Sequence, residues 1–247
     1  SDGMGNPNSS SFIVVKDSNA GDDEYLGARN VVIRRNVFLN WIGSTGSNFV
    51  LFGEDGTANH EAFDGLVENN LMLGNSPAVM RAPFGVKGSR DIVFRANTIV
   101  GDLPSLAFAM RLNRESANPV VSGIEFHNNL WSDPTGSMND FSDTLPADVH
   151  SIMLRRNGYW NGGNALPFDA GDAINTVDDS EPRIGDPLLP AQAGLQTPHW
   201  IAASSQFNGG FSTVREVFLH LVETYGRPGA AGGGIDQARS EEMPSDD

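Results

Sequence analysis

The chain has 247 residues, no cysteine and a formal net charge of −15 at pH 7. This length suits one elongated domain with a substantial core, and the lack of cysteine excludes disulfides and thiolate metal sites. The negative charge argues against a nucleic-acid or anionic-membrane surface, because both partners are polyanions. No apolar run approaches the length of a membrane span, so no membrane insertion is expected.

A nine-residue segment occurs five times in the first two thirds of the chain. The copies are residues 30–38, 64–72, 91–99, 123–131 and 151–159. The seventh residue is always asparagine, at Asn36, Asn70, Asn97, Asn129 and Asn157. Successive asparagines are 34, 27, 32 and 28 residues apart. A period of this size is typical of a solenoid.

Apolar and polar residues alternate before each asparagine, which predicts a strand with one buried face. The apolar residues three positions before it are Ile33, Val67, Phe94, Phe126 and Leu154. The alternation shifts phase at the asparagine, so the strand is expected to bend there. Asparagine tolerates the left-handed conformation of such a corner, and stacked amides can hydrogen-bond along the pile. Five unrelated strands of a sandwich are the alternative, but that arrangement does not explain the recurring asparagine.

These segments resemble the pectate-lyase-like right-handed parallel β-helix, which has an asparagine ladder at one interior corner. The resemblance covers roughly residues 12–160. It implies an all-β, single-stranded parallel β-helix of about five to six coils over residues 1–190. We expect residues 191–247 to form a C-terminal segment that caps the last coil. The polar start of the chain predicts that further N-terminal coils or a cap precede it.

One more strand is needed to close each coil. Residues 12–16, 49–53, 78–81 and 106–111 are the candidates. Each is followed by a polar loop, at residues 17–28, 54–62, 82–90 and 112–122. Long loops confined to one face of a solenoid commonly mark its binding face.

The outward positions of the repeated strand carry two patterns. Arg34, Glu68 and Arg95 alternate in sign on successive coils, which predicts cross-strand ion pairs. A second set is apolar and consists of Val32, Leu66, Val93 and Met153. We call this set the apolar stripe and expect it to be covered by loops, by upstream coils of a longer chain or by a partner.

A helix is predicted over residues 213–225, near the end of the chain. Thr213 and Glu216 form a capping box, and Gly226 ends the helix. Its apolar residues recur at helical spacing, so one face is expected to be buried. We expect this helix to cover the last coil.

The resemblance places substrates in a groove beside the first strand of each coil. Lys16, Arg81 and Arg111 end their predicted strands, and three cations on one face would bind carboxylates or sulfates. Lys87 and Asn113, in the neighbouring loops, are candidate substrate-binding residues.

Lyases of the resembled fold remove a proton next to a uronate carboxylate. By this resemblance Arg81 or Arg111 would bind the uronate, and His60 or Lys16 would act as the base. Glu54 and Asp55 would hold Ca²⁺. Exposed charged residues more often solvate a surface, so this site is a hypothesis.

The first functional hypothesis is a secreted carbohydrate-active protein that binds or cleaves an acidic polysaccharide, located outside the cell or at its surface. The chain lacks the paired aspartates with Gly-His-Gly and Arg-x-Lys motifs of the pectin-hydrolase branch of the fold. The alternative is a non-catalytic β-helix that serves as a structural or adhesion module of a larger surface protein. Detection of new unsaturated sugar ends would separate the two hypotheses.

Overall fold

The computed structural model describes residues 11–17, 24–40, 48–74, 80–101, 107–189, 195–196 and 198–228. Its strands up to the fourth ladder asparagine are β1 (Ser11–Val15), β2 (Ala28–Arg29), β3 (Val32–Arg34), β4 (Val37–Asn40), β5 (Asn48–Phe52), β6 (Ala62–Glu68), β7 (Leu71–Gly74), β8 (Phe84–Lys87), β9 (Arg90–Arg95), β10 (Thr98–Gly101), β11 (Met110–Asn113) and β12 (Val121–His127). The remaining strands are β13 (Leu130–Asp133), β14 (Val149–Arg155), β15 (Gly158–Asn161), β16 (Asp179–Ser180), β17 (Arg183–Ile184), β18 (Trp200–Ile201) and β19 (Gln206–Phe207). One α-helix, α1 (Val214–Tyr225), follows them.

Strands β1 to β17 form three parallel sheets that run along the stack, and β18 and β19 form a separate antiparallel pair. The first sheet has the order β1-β5-β8-β11. The second has the order β16-β14-β12-β9-β6-β2, with β3 also paired to β6, and the third has the order β17-β15-β13-β10-β7-β4. The prediction of an all-β parallel β-helix is confirmed. The four strands of the first sheet give about four complete coils, fewer than the five to six predicted.

The asparagine ladder is confirmed at the corner between the second and third sheets. Each Nδ2 donates to the Oδ1 of the next asparagine, at 2.9–3.0 Å from Asn36 through to Asn157. The same Oδ1 accepts the backbone N–H of the preceding ladder asparagine. The ladder ends on Asp179, whose carboxylate accepts from Asn157 Nδ2 at 2.7 Å. Every buried amide in the ladder therefore has partners, as buried polar groups require.

The corner differs from the prediction in one respect, because the left-handed residue is not the asparagine. It is the residue immediately before it, at Arg35, Asn69, Ala96, Asn128 and Arg156, with φ between 51° and 56°. This geometry turns the chain first and leaves the asparagine side chain free to point inward and stack. A second left-handed column starts each repeat, at Asn30, Asp64, Asp91, Gly123 and Ser151.

Relief of strain at the corner should be measurable at Ala96. A left-handed conformation costs an L-residue about 1–2 kcal/mol, and glycine avoids this cost. We therefore expect Ala96→Gly to raise the melting temperature slightly, in spite of the added backbone entropy of the unfolded chain. Ala147→Gly, at a position without positive φ, is the matched control and should lower it. A melting temperature lowered equally by both changes would contradict the strained corner.

Aromatic side chains stack along the interior and follow the coil repeat. Phe94 and Phe126 are stacked with ring centroids 4.7 Å apart, and Trp131 and Tyr159 are stacked at 5.7 Å. All four are fully buried. Residues at the same position of successive coils thus lie in contact, which is how coils that are too small to fold alone share one core.

The helix forms where it was predicted, but it does not cover the last coil. Thr213 is its N-cap and accepts from the backbone N–H of Glu216 at 3.1 Å. Val217 and Leu221 pack against Leu71, Leu73 and Val100 on the outer face of the third sheet. The expectation of an end cap is therefore wrong. Helical spacing shows that one face is buried, but it does not indicate which surface buries it.

Of the two predictions for the outer face of the second sheet, the ion pairs are confirmed and the covered apolar stripe stays a prediction. Glu68 accepts a hydrogen bond from Arg95 Nε at 2.8 Å and lies 3.9 Å from Arg34, which confirms the ion pairs. In the apolar stripe, the residues at its two ends, Val32 and Met153, are 54% and 40% exposed. The described part of the chain does not cover those two ends. A partner on the stripe remains a prediction.

Candidate functional site

Four residues mark the C-terminal ends of the strands of the first sheet, one on each coil. Val15 pairs with Phe52, Phe52 with Val86, and Lys87 with Asn113. The residues at the same register are consequently Lys16, Gly53, Lys87 and Asn113. We call these four residues the strand-end row. Adjacent strands are about 4.8 Å apart, so the row runs along the axis of the stack.

Gly53 leaves a gap in the row because the backbone of the next coil comes very close. It has φ +77°, and a Cβ at this position would lie 1.9 Å from the carbonyl oxygen of Lys87. Only glycine fits such a contact at positive φ. Lys16 and Lys87 are thereby separated by one position without a side chain.

Both lysines of the strand-end row are held by carboxylates from the neighbouring loops. Lys16 Nζ lies 3.0 Å from Glu54 Oε2 and 2.5 Å from Asp55 Oδ1. Lys87 Nζ lies 2.5 Å from Glu115 Oε2. The hydrogen bonds that Lys16 donates to Asp55 and Glu54 raise the pKa of its ammonium. Lys16 is therefore held in its protonated form, which is unsuited to taking a proton.

The buried side chain of Glu61 holds the loops that carry these carboxylates in place. Its carboxylate is fully buried and accepts the backbone N–H groups of Glu54, Asp55 and Gly56 at 2.7–2.8 Å. Asn118 Nδ2, from the loop of a later coil, also donates to Glu61 at 2.7 Å. Charge-assisted hydrogen bonds of this kind are strong. Glu61 thus joins two loops of the candidate binding face.

The predicted pairing of Arg81 with Arg111 is wrong. The strand that pairs with β5 and β11 in that coil is β8, and Arg111 pairs with Gly85. Residues 78–79 of the predicted strand lie outside the described residues. The predicted loop over residues 82–90 therefore contains a strand, and Arg81 precedes it. Pro83 and Gly85 obscured this strand because both residues disfavour strands. Arg81 is exposed, whereas Arg111 Nε donates to Asp143 Oδ2 at 2.5 Å.

Aspartates gather on the coil that follows Arg111. Met110 bridges to Ser142 in parallel, which brings Asp143 beside Arg111, and Ala173 N donates to Thr144 O at 2.8 Å. Asp140, Asp143, Asp169 and Asp172 interact electrostatically there, and we call them the aspartate group. Burial and these neighbouring charges raise the pKa of Asp172 to about 6. Burial also raises the pKa of Asp140.

The raised pKa of Asp172 predicts a specific pH dependence of stability. A carboxyl with a raised folded-state pKa favours folding at low pH, and that contribution is lost as pH rises through the folded value. We expect Asp172→Asn to lack this loss, so its stability advantage over the parent should grow between pH 4 and pH 7. Thermal unfolding of both proteins across this range measures the difference. A constant difference would contradict the raised pKa.

His60 lies at the corner that leads from the first to the second sheet. Burial lowers the pKa of its imidazole, and the nearby Arg90 guanidinium lowers it further. Its other electrostatic neighbours are Asp91 and the backbone of Val120. His60 is therefore suited to act as a neutral base, but Arg90, Asp91 and Val120 belong to the second-sheet corner and not to the strand-end row.

Glu54 and Asp55 do not fit a Ca²⁺ ion in this arrangement. Lys16 is ion-paired with both carboxylates, so its ammonium occupies the position between them that the ion would take. Ca²⁺ at Glu54 and Asp55 stays a prediction. Within the described ranges, no group of three or more His, Asp or Glu side chains is placed to hold a metal. Nor does any helix there have the length and apolarity of a membrane span.

Sequence reasoning did not single out Glu61, Asp179 or the aspartate group. Glu61 lies at the end of a predicted loop, where no apolar periodicity indicates that a side chain is buried. Asp179 takes an inward position that an apolar residue holds in the preceding coils, since it pairs with Leu154. The one available signal was the density of aspartates over residues 140–179.

Comparison with known proteins assigns no relative to this chain: no family model, no curated protein and no solved structure matches it.

Proposed function

We propose that this protein is a carbohydrate-binding β-helix that holds a polysaccharide along the outer face of its first sheet. The observation that supports this most is the strand-end row, in which Lys16, Lys87 and Asn113 stand at one register on separate coils. Repeated coils provide extended surfaces on which each coil adds a similar contact. A polymer lying along the stack would meet the members of the row in turn.

We infer a neutral polysaccharide as the preferred ligand. Lys16, Lys87 and Arg111 are each ion-paired with a carboxylate of the chain, and the net charge is −15. A polyuronate would have to displace these carboxylates against the overall repulsion. Sugar hydroxyls, in contrast, hydrogen-bond to paired groups without separating them. The sequence predicted an acidic polysaccharide instead. Uronate polymers are therefore compared with neutral ones in the experiment described below.

The aspartate group favours hydrolysis as an accompanying activity. Cleavage of a glycosidic bond requires one carboxyl that donates a proton and a second that acts as a carboxylate. Asp172, with a pKa of about 6, suits the first role, and Asp143, paired with Arg111, suits the second. Lys16 is held as an ammonium, so β-elimination with Lys16 as the base is disfavoured by this geometry.

The test is a panel of neutral and uronate polysaccharides, each offered with and without Ca²⁺. We expect Lys87→Ala/Asn113→Ala to weaken binding of a neutral glycan by about tenfold, or roughly 1.4 kcal/mol, with little change in melting temperature. Arg34→Ala, on the second sheet, is the matched control and should bind normally. If the protein is hydrolytic, Asp172→Asn should stop the release of reducing ends without weakening binding.

Three outcomes would contradict the proposal, each in a different way. Binding only to uronates, with new unsaturated ends, would indicate a lyase and an acidic substrate. Normal binding by Lys87→Ala/Asn113→Ala would place the ligand on another face. Binding to no member of the panel would favour the non-catalytic structural module, for which the internal pairing of the three cations is the supporting observation. Location outside the cell remains a prediction that accompanies the glycan proposal.

A further inference from the structure

Helix α1 buries only part of its apolar surface. Val217 and Leu221 are buried against the third sheet, but Val214, Phe218 and Val222 are 54%, 42% and 43% exposed. Exposed apolar side chains that are adjacent along one helix commonly mark a binding surface. The packing of the helix against the third sheet therefore does not explain why these three exposed side chains are apolar.

The three residues form one wall of a groove with a volume of about 610 Å³. The opposite wall comes from the asparagine-ladder corners and the third sheet, including Val37, Leu71 and Ala96. Gly226, at the C-terminal end of α1, also lines the groove. The groove thus lies between the helix and the stack and reaches the point where the chain leaves the helix.

The charge of the groove is opposite to that of the whole protein. Its described lining includes Arg35 and Arg215 but no aspartate or glutamate, although the chain carries a net charge of −15. An apolar floor with basic side chains suits a segment that combines apolar residues with carboxylates. Complementary charge would also fix the direction in which such a segment lies.

We propose that residues 235–247 of the same chain bind in this groove. They lie outside the described residues, and their sequence is IDQARSEEMPSDD, with apolar Ile235 and Met243 and five carboxylate side chains. The linking residues 229–234 span at most about 20 Å, while α1, with 12 residues, is about 18 Å long. The segment can therefore reach the whole groove. Attachment to the chain also raises its effective concentration.

The absence of cysteine from the chain allows a direct test in the 247-residue protein. Leu219→Cys, on the rim of the groove, is combined with Ser245→Cys, and the rate of intramolecular disulfide formation is measured under mild oxidation. The matched control adds Ile235→Ser and Met243→Ser to the same cysteine pair, which removes the apolar side chains and leaves the charge beside the thiol unchanged. Because the tether is identical in both proteins, the rate difference reports docking alone. We expect the control to be at least tenfold slower, and Arg35→Glu/Arg215→Glu to slow the parent pair similarly.

Two results would overturn the proposal. Equal rates in the parent pair and its control would show that the segment does not dock through its apolar residues. Predominant disulfide dimers at low protein concentration would assign the groove to a second copy of the chain. This inference is independent of the glycan proposal, because the groove borders the third sheet and the row lies on the first.

Discussion

Replacement of Asn97 by alanine is expected to lower the free energy of unfolding by about 3 kcal/mol, since each orphaned buried polar group costs about 1–3 kcal/mol. Asn97 Oδ1 accepts the N–H and one Nδ2–H of Asn70, and Asn97 Nδ2 donates to Val67 O and Asn129 Oδ1. The substitution removes these partners from the middle of the ladder. In a chain of this size the loss corresponds to a melting temperature lower by roughly 6–12 °C.

Asn36→Ala is the matched control for the ladder. Asn36 is half-buried and begins the ladder, donating to Arg34 O and Asn70 Oδ1. We expect it to cost about 1 kcal/mol. Asn157 does not behave as an end position, because Asp179 continues the network beyond it. Equal and small effects of Asn97→Ala and Asn36→Ala on thermal unfolding would contradict a cooperative ladder.

Glu61→Ala is expected to be the most damaging change at the candidate binding face. It leaves three backbone N–H groups and the Asn118 amide without their buried acceptor. Hydrogen bonds to charged groups contribute about 1.5–3 kcal/mol each. A loss of about 4 kcal/mol allows for partial rehydration of the loop. Chemical denaturation measures this loss, and glycan binding should fall with it because the loops beside Lys16 and Lys87 lose their support.

Glu54→Ala is the control for Glu61→Ala. Glu54 belongs to the same loop and is ion-paired with Lys16, but the pair is partly exposed, and exposed pairs contribute only about 0–1 kcal/mol. We therefore expect a small stability change at Glu54. A similar loss in both variants would show that Glu61 does not anchor the loop.

The ladder corner could be predicted from the sequence because its physical causes are local and repeated. A buried stacked amide needs asparagine at one position of every coil, and the inward positions around it need apolar residues. The five starting residues of the repeat are left-handed in the structure, and four of them, all except Ser151, are Asn, Asp or Gly, the residue types that tolerate this conformation.

The binding face was harder to predict because it depends on pairing between distant coils. The apolar run at residues 78–81 favoured a strand by composition, yet pairing with β5 and β11 selects Phe84–Lys87. The partners of Lys16 and Arg111 are 39 and 32 residues away. The placement of α1 on the third sheet likewise depends on apolar residues that face outward from three coils, which no local pattern identifies.

Asp179 shows how an end position departs from the repeat. It replaces an inward apolar residue with a carboxylate that accepts from Asn157 and from Tyr159 Oη at 2.7 Å. Burial raises the pKa of Asp179. The last asparagine of the ladder needs an acceptor but no further donor above it, and a carboxylate meets that requirement.

Hydrogen exchange of the asparagine side-chain amides tests the continuous ladder most directly. In solution, the Nδ2 protons of Asn70, Asn97, Asn129 and Asn157 should exchange orders of magnitude more slowly than that of exposed Asn139, because they open only when coils separate. Asn36, at the start of the ladder, should be intermediate. Exchange of all five ladder amides at the rate of Asn139 would contradict the ladder and with it the stacked coils on which the proposed binding face depends.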